Sequence, residues 1–152
     1  MADIDNAARP PARLRALTSW QASKVSTLGA RLFAQHIPLP ARSDFAVLAA
    51  LEEYGPLSQA DIGRRLGLDR NDVNRILGRL EVRDQVDRQP NPANRRRNIV
   101  TLTAAGTRRL EEIQQHADAV QNELLAGLDA AERRQLHSLL TKLLESHAPQ
   151  SA

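Results

Sequence analysis

The chain has 152 residues, 41% apolar and 26% charged, which is enough for one domain with a hydrophobic core and short for two. The absence of cysteine excludes disulfides, thiolate metal ligands and thiol redox chemistry, and no apolar run or apolar leader predicts a membrane span or secretory signal, so a cytoplasmic protein is expected. The net charge of +3 hides an asymmetry, because residues 61–109 hold twelve arginines against six acids while the rest of the chain is net acidic. Lys24 and Lys142 are the only lysines, so nearly all positive charge is guanidinium, suited to bidentate contact with phosphate or guanine. A GC-rich genome also raises Arg and Ala together, so the clustering, more than the total, points to a nucleic acid.

With 3% aromatic residues, the core must be built from Leu, Ile, Val and Ala, a composition that favours helices. Leu14, Leu17, Val25, Leu28 and Leu32 recur at helical spacing and predict a long first helix over 14–36, interrupted near Thr18–Trp20 and stopped by the prolines of HIPLPA. Ser43 precedes the stripe Phe45, Val47, Leu48 and Leu51, a second helix that ends at Gly55-Pro56. Ser58, three residues before Asp61, marks a capping-box-like start to a third helix of barely two turns, closed by Gly67. Asp69 caps a fourth, whose Val73, Ile76, Leu77 and Leu80 form its apolar stripe. So short a link containing glycine makes the two helices cross steeply, as in a helix-turn-helix.

QVDRQ and NIVTL alternate like strands and predict a two-stranded hairpin with a long Pro/Asn/Arg tip. Thr103 opens a further helix carrying Leu110, Ile113, Ala117, Val120 and Leu124; Asp129, with Glu132 three residues on, caps the last, which carries Leu136, Leu139, Leu140, Leu143 and Leu144. The expected fold class is mainly α, an α+β winged helix-turn-helix lobe over 42–102 with a helical body from 10–37 and 103–147. The apolar stripes of that body exceed what the lobe can cover, so a homodimer is expected; a monomeric bundle is the alternative.

On the Asp69 helix, the face opposite the stripe presents Asn71, Arg75 and Gly78, flanked by Asn74 and Arg79, with Arg70 toward the edge. Asn and Arg match the donor and acceptor patterns of adenine and guanine in the major groove. In isolation such a face reads equally as solvated surface, but the second helix of a helix-turn-helix is the one offered to DNA. Arg95, Arg96 and Arg97 at the hairpin tip would enter the neighbouring minor groove and touch adjacent phosphates. Ser58 and Gln59, near a helix N-terminus, would contact the DNA backbone.

From about Asp44 to His147 the chain resembles the MarR family of winged helix-turn-helix regulators, in FAVLAALEEYGPLSQADIGRRLGLDRNDVNRILGRLE, NPANRRRNIVTLTAAG and GLDAAERRQLHSLLTKLL. The LT followed by Gly106 after an Arg-rich wing is the specific part; a helix-turn-helix alone is shared by many families. The resemblance implies a homodimer whose two lobes bind a palindromic double-stranded operator, usually as a repressor, with a small ligand between lobe and body releasing the DNA. Asn91 and Asn94 stand where the family usually has acids that hold a wing arginine, and Asp84 where it usually has glycine; Asp tolerates the left-handed conformation better than most residues.

Similarity to a urate-responsive branch implies an effector pocket of Trp20, Arg75 and Arg88 for a small aromatic or acidic ligand, and His36, just before the Pro-containing turn, is placed to line the same pocket. The acid of that branch falls on Ala46, with Asp44 nearby. The residues alone leave Trp20 open as interface packing and His36 as a helix end. The four histidines form no short-spaced ligand pair, and neither a Gly-rich phosphate loop nor a nucleophile elbow is present, so no metal, cofactor, catalysis or membrane partner is expected. A reading from another class is a winged-helix module for protein assembly with no operator of its own.

Overall fold

The computed structural model describes residues 9–37 and 41–147, apart from the side chains of Arg95 and Arg96. These residues divide into two compact units: Phe33–Asp118, and the segments up to Leu32 and from Ala119. In chain order the elements are α1 (Ala12–Arg15), α2 (Thr18–His36), α3 (Ala41–Tyr54), β1 (Leu57–Ser58), α4 (Gln59–Leu66), α5 (Arg70–Val82), β2 (Val86–Asn91), β3 (Asn94–Leu102), α6 (Ala104–Leu124) and α7 (Ala130–Ser146).

The mainly helical fold with a small sheet is the expected class. The interruption in the first helix falls at Ala16–Leu17, slightly before its expected place. Part of HIPLPA lies outside the described residues. Helix α3 starts at Ala41, so Ser43, which precedes the apolar stripe, already lies within its first turn.

The sheet has three antiparallel strands in the order β1–β3–β2, not two. The third, β1, pairs Leu57 with Val100 and Ser58 with Ile99. Val47, Leu48 and Leu51 of α3, Ile62 of α4, the α5 stripe, Val86, Val100 and Leu110 form one buried core within the Phe33–Asp118 unit. Each fully buried side chain of this size stabilises the fold by about 1.5–3 kcal/mol. Ile37, Ala41 and Ile113 make a smaller cluster against Phe33 and Phe45.

A single turn fixes where the wing leaves α5. The Asp84 N–H donates to Glu81 O and the Gln85 N–H to Leu80 O, both at 2.9 Å, which is the Schellman pattern, and Asp84 takes φ +55° in the position glycine normally fills. Thr103 Oγ1 donates to Asp84 O at 2.5 Å and accepts from the Gly106 N–H at 3.0 Å, so one side chain ties the turn to the start of α6. A Cβ at Gly106 would overlap the Gln85 carbonyl oxygen and Leu102, which explains why glycine stands there.

In the other unit, Leu32 and Val120 are buried and Gly29 faces Leu124. Asp129 and Glu132 form a reciprocal capping box at the start of α7, as the spacing predicts. Arg133 donates to Leu128 O at 3.1 Å and Asn122 Oδ1 at 3.2 Å. Helix α7 nevertheless buries none of its residues.

Candidate nucleic-acid interface

Helix α4 ends at Gly67, φ +64°, where the Leu68 N–H donates to Gly63 O at 2.9 Å; Asp69 then caps α5 by accepting from the Asp72 N–H at 2.8 Å. Gly63 itself has the Leu68 carbonyl so close that a Cβ would stand 2.9 Å from it. This tight link sets α5 with Val73, Ile76, Leu77 and Leu80 inward and Arg70, Asn71, Asn74 and Arg75 exposed. Among the described residues, nothing outside the helix backbone lies within 4 Å of a Cβ built on Gly78, so the surface over that glycine is open to them.

The polar residues of this face are held by local partners. Ser58 caps α4, accepting from the Asp61 N–H at 3.1 Å and donating its hydroxyl to Asp61 Oδ2 at 2.6 Å. That hydroxyl is the main reason the Asp61 carboxyl lies below its usual range; desolvation opposes it and Arg64 adds to it. Gln59 Nε2 donates to Asn74 Oδ1 at 2.5 Å, joining the first turn of α4 to the middle of α5. Arg75 pairs with Asp72 one turn back and Arg64 with Asp61, and both guanidiniums remain largely exposed.

Arg79 differs from its neighbours. Its Nη2 donates to Asp44 Oδ1 at 2.7 Å and Ser43 Oγ at 3.2 Å, so it turns away from the Asn/Arg face and joins α5 to α3. The Asp44 side chain is 3% exposed and that of Arg79 26%. A helical-face reading groups Arg79 with Arg75; the buried carboxylate 35 residues earlier redirects it.

The wing also departs from expectation. Its tip is only Pro92–Ala93, with Asn91 Oδ1 accepting from the Ala93 N–H at 2.9 Å, and the arginines lie on β3 rather than on a long loop. The register runs regularly from Val86↔Leu102 to Pro90↔Asn98 and then jumps to Asn91↔Asn94, leaving 95–97 without counterparts on β2. Proline has no N–H to give the ladder, which fits the slip at this point. Arg97 is exposed and, with Asn98, lines an open groove of about 920 Å³ that also includes Ser58, Gln59, Arg64, Arg70 and Asn74. Among the described residues, Asp69 is the one acid lining it. Arg64 was not among the expected contacts, although its place one turn after Asp61 was readable.

Of the expected effector residues, Trp20 is half-buried with Lys24 Nζ 5.3 Å from its ring centroid, and it belongs to the unit other than that of His36, Arg75 and Arg88. His36 is exposed, Arg75 faces Asp72, and Arg88 donates to Glu81 Oε2 at 2.5 Å. Asp44 does not stand free beside Ala46 but is taken by Arg79. Among the described residues, no group of three His, Asp or Glu side chains is placed to hold a metal ion, and no helix is long and apolar enough to cross a membrane.

A helix pair joined by the short link Gly67–Asp69, an exposed Asn/Arg face on the second helix, and an antiparallel wing beside it define a winged helix-turn-helix protein. The sequence profile of the MarR family matches residues 39–97. The HTH-type transcriptional repressor NicR of Pseudomonas putida is 33% identical over 102 residues, 67% of this chain and 65% of NicR, so the chain spans just under two thirds of that relative. The structure of BpsR of Bordetella bronchiseptica, whose DNA binding is regulated by 6-hydroxynicotinic acid, superposes with a TM-score of 0.70 at 30% identity, covering 81% of this chain and 95% of BpsR. A mutant MarR from Escherichia coli, complexed with operator DNA, superposes with a TM-score of 0.69 at 27% identity over 82% of this chain and 91% of the other. The chain belongs to the MarR family, whose matched members are regulators of transcription and not enzymes.

Proposed function

We propose that this protein is a homodimeric transcriptional repressor that binds a palindromic double-stranded operator and is released by a small aromatic or acidic ligand. The observation that carries the reading is the groove joining α5 to the wing, lined by Arg64, Arg70 and Arg97 and, among the described residues, by one acid, Asp69, beside the exposed Asn71, Asn74 and Arg75. Asn71, Asn74 and Arg75 suit base edges; Arg70 and Arg97, with Ser58 and the remaining wing arginines Arg95 and Arg96, suit phosphates and the adjacent minor groove. Arg79 is withdrawn from that list by its pairing with Asp44.

Dimerisation is supported by α7, whose Leu139, Leu140, Leu143 and Leu144 are 44–72% exposed, and by Leu14, Leu17, Val25 and Leu28, which are 40–51% exposed. A stripe of leucines left in water over a whole helix is unfavourable unless another chain covers it. Twofold symmetry would set two α5 helices on half-sites about 34–36 Å apart, or a multiple of that spacing. The ligand follows from BpsR, whose DNA binding responds to 6-hydroxynicotinic acid. His36, Arg75 and Arg88 of the Phe33–Asp118 unit remain residues proposed for it, and Trp20 of the other unit remains a separate candidate.

The test is selection of duplexes from a random pool by the full chain, repeated with 6-hydroxynicotinic acid and other small aromatic acids. A palindromic consensus, weakened by one of the acids, is expected. Absence of any preferred duplex at low salt would sink the reading and favour a protein-assembly module.

A further inference from the structure

Gln59 lies at the first position of α4 and would by place alone be assigned to a phosphate. Its amide instead donates to Asn74 Oδ1 at 2.5 Å. Both side chains line the groove beside α5. An asparagine that reads adenine does so with both ends of its amide, accepting from N6 and donating to N7. Here Gln59 takes up one of the two lone pairs of Oδ1, whereas Nδ2 makes no hydrogen bond among the described residues and keeps both of its donors for the groove.

We propose that Gln59 is a positioning residue that sets base preference through Asn74: it holds Asn74 as a donor, so that this position of the half-site selects an acceptor edge. Guanine, with O6 and N7, offers two such acceptors in the major groove; cytosine offers an N4 donor and is disfavoured. This inference rests on the DNA-binding reading above and specifies one base position within it.

Gln59→Glu inverts the arrangement. A carboxylate can only accept, so it draws Asn74 Nδ2 toward itself and turns Oδ1 to the groove. The substitution is compatible with folding, because an acid in the first turn of α4 suits the helix dipole. Added negative charge near DNA weakens binding to every duplex, so preference rather than affinity is the informative quantity.

Duplex selection is run with the wild-type chain, Gln59→Glu, Asn74→Ala and the double variant. The expected result is a change at one half-site position and its symmetry mate, from guanine toward cytosine or adenine in Gln59→Glu. The ratio should move on the order of tenfold, the size of one good side-chain contact to a base. The double variant is expected to match Asn74→Ala at that position. An unchanged consensus in Gln59→Glu, or a shift that persists without Asn74, overturns the inference while leaving DNA binding intact. Failure of the wild-type chain to select any duplex overturns both.

Discussion

The pairing of Arg79 with Asp44 gives an asymmetric stability prediction. Arg79→Ala leaves the Asp44 carboxylate, 3% exposed, without its guanidinium; Asp44→Ala leaves a guanidinium that is 26% exposed and can swing toward water. Removing one member of a buried pair costs about 3–5 kcal/mol, because the remaining charge stays desolvated. Arg79→Ala is therefore expected at about 3–4 kcal/mol. Asp44→Ala is expected at about 2–3 kcal/mol, since water screens what is left. In urea at fixed protein concentration, with a slope of about 2 kcal/mol per molar, the midpoints should fall by roughly 1.5–2 M and 1–1.5 M. The double variant should cost less than the sum of the two, because once one partner is gone the second removal takes away an already strained charge. Losses below about 1 kcal/mol for both, adding without coupling, would mean that the pair behaves as a surface ion pair and the reasoning fails.

The remaining predictions concern the turn, the close approach and the cap. Asp84→Gly should raise stability by about 0.5–1 kcal/mol, read as a melting-temperature increase of roughly 1–4 °C, because Asp84 occupies φ +55°; Asp84→Val should lower it. Gly106→Ala should cost about 3 kcal/mol in the same melting experiment, since its Cβ meets the backbone carbonyl of Gln85 rather than a movable side chain. Ser58→Ala should move the Asp61 titration, followed by carboxyl NMR, up toward the ordinary range, as the Ser58 hydroxyl is the main cause of its depression. A depressed folded-state carboxyl stabilises the fold above its unfolded value and loses that contribution as pH falls through the folded one; this loss on acidification should shrink in Ser58→Ala. In operator binding, Arg75→Ala should relax preference at a defined base position, whereas Arg97→Ala should weaken all duplexes nearly equally.

What could be read from residues alone followed from local physics. The α5 stripe and the caps at Ser58, Asp69 and Asp129 depend on spacings of three or four residues, and the structure has them in place. Asp84 in a left-handed turn was readable through the family resemblance, which implies glycine at that position, together with the tolerance of Asp for that conformation. Strand β1 was hidden because two residues carry no periodicity, and its existence depends on β3 arriving from forty residues away. The wing tip was misplaced for a related reason: PNPAN has the composition of a loop, yet Pro90 and Asn91 are carried into β2 by their partners on β3, and the slip expels 95–97 instead. Arg79 and Gln59 show the same limit in the interface. Each has a partner on another helix, Asp44 on α3 and Asn74 on α5, and no single-helix pattern reveals which side chain a long polar group will meet.

The central claim, that the α5 face and wing form a sequence-selective DNA surface, is tested most directly by binding of a selected duplex and a scrambled duplex across a range of salt. The four arginines per lobe proposed for phosphates and the minor groove, Arg70, Arg95, Arg96 and Arg97, predict for a dimer a log–log slope on the order of −7 with the selected duplex, and a tighter affinity than for the scrambled one at every salt concentration. Equal affinities for the two duplexes, or binding indifferent to salt, would contradict it.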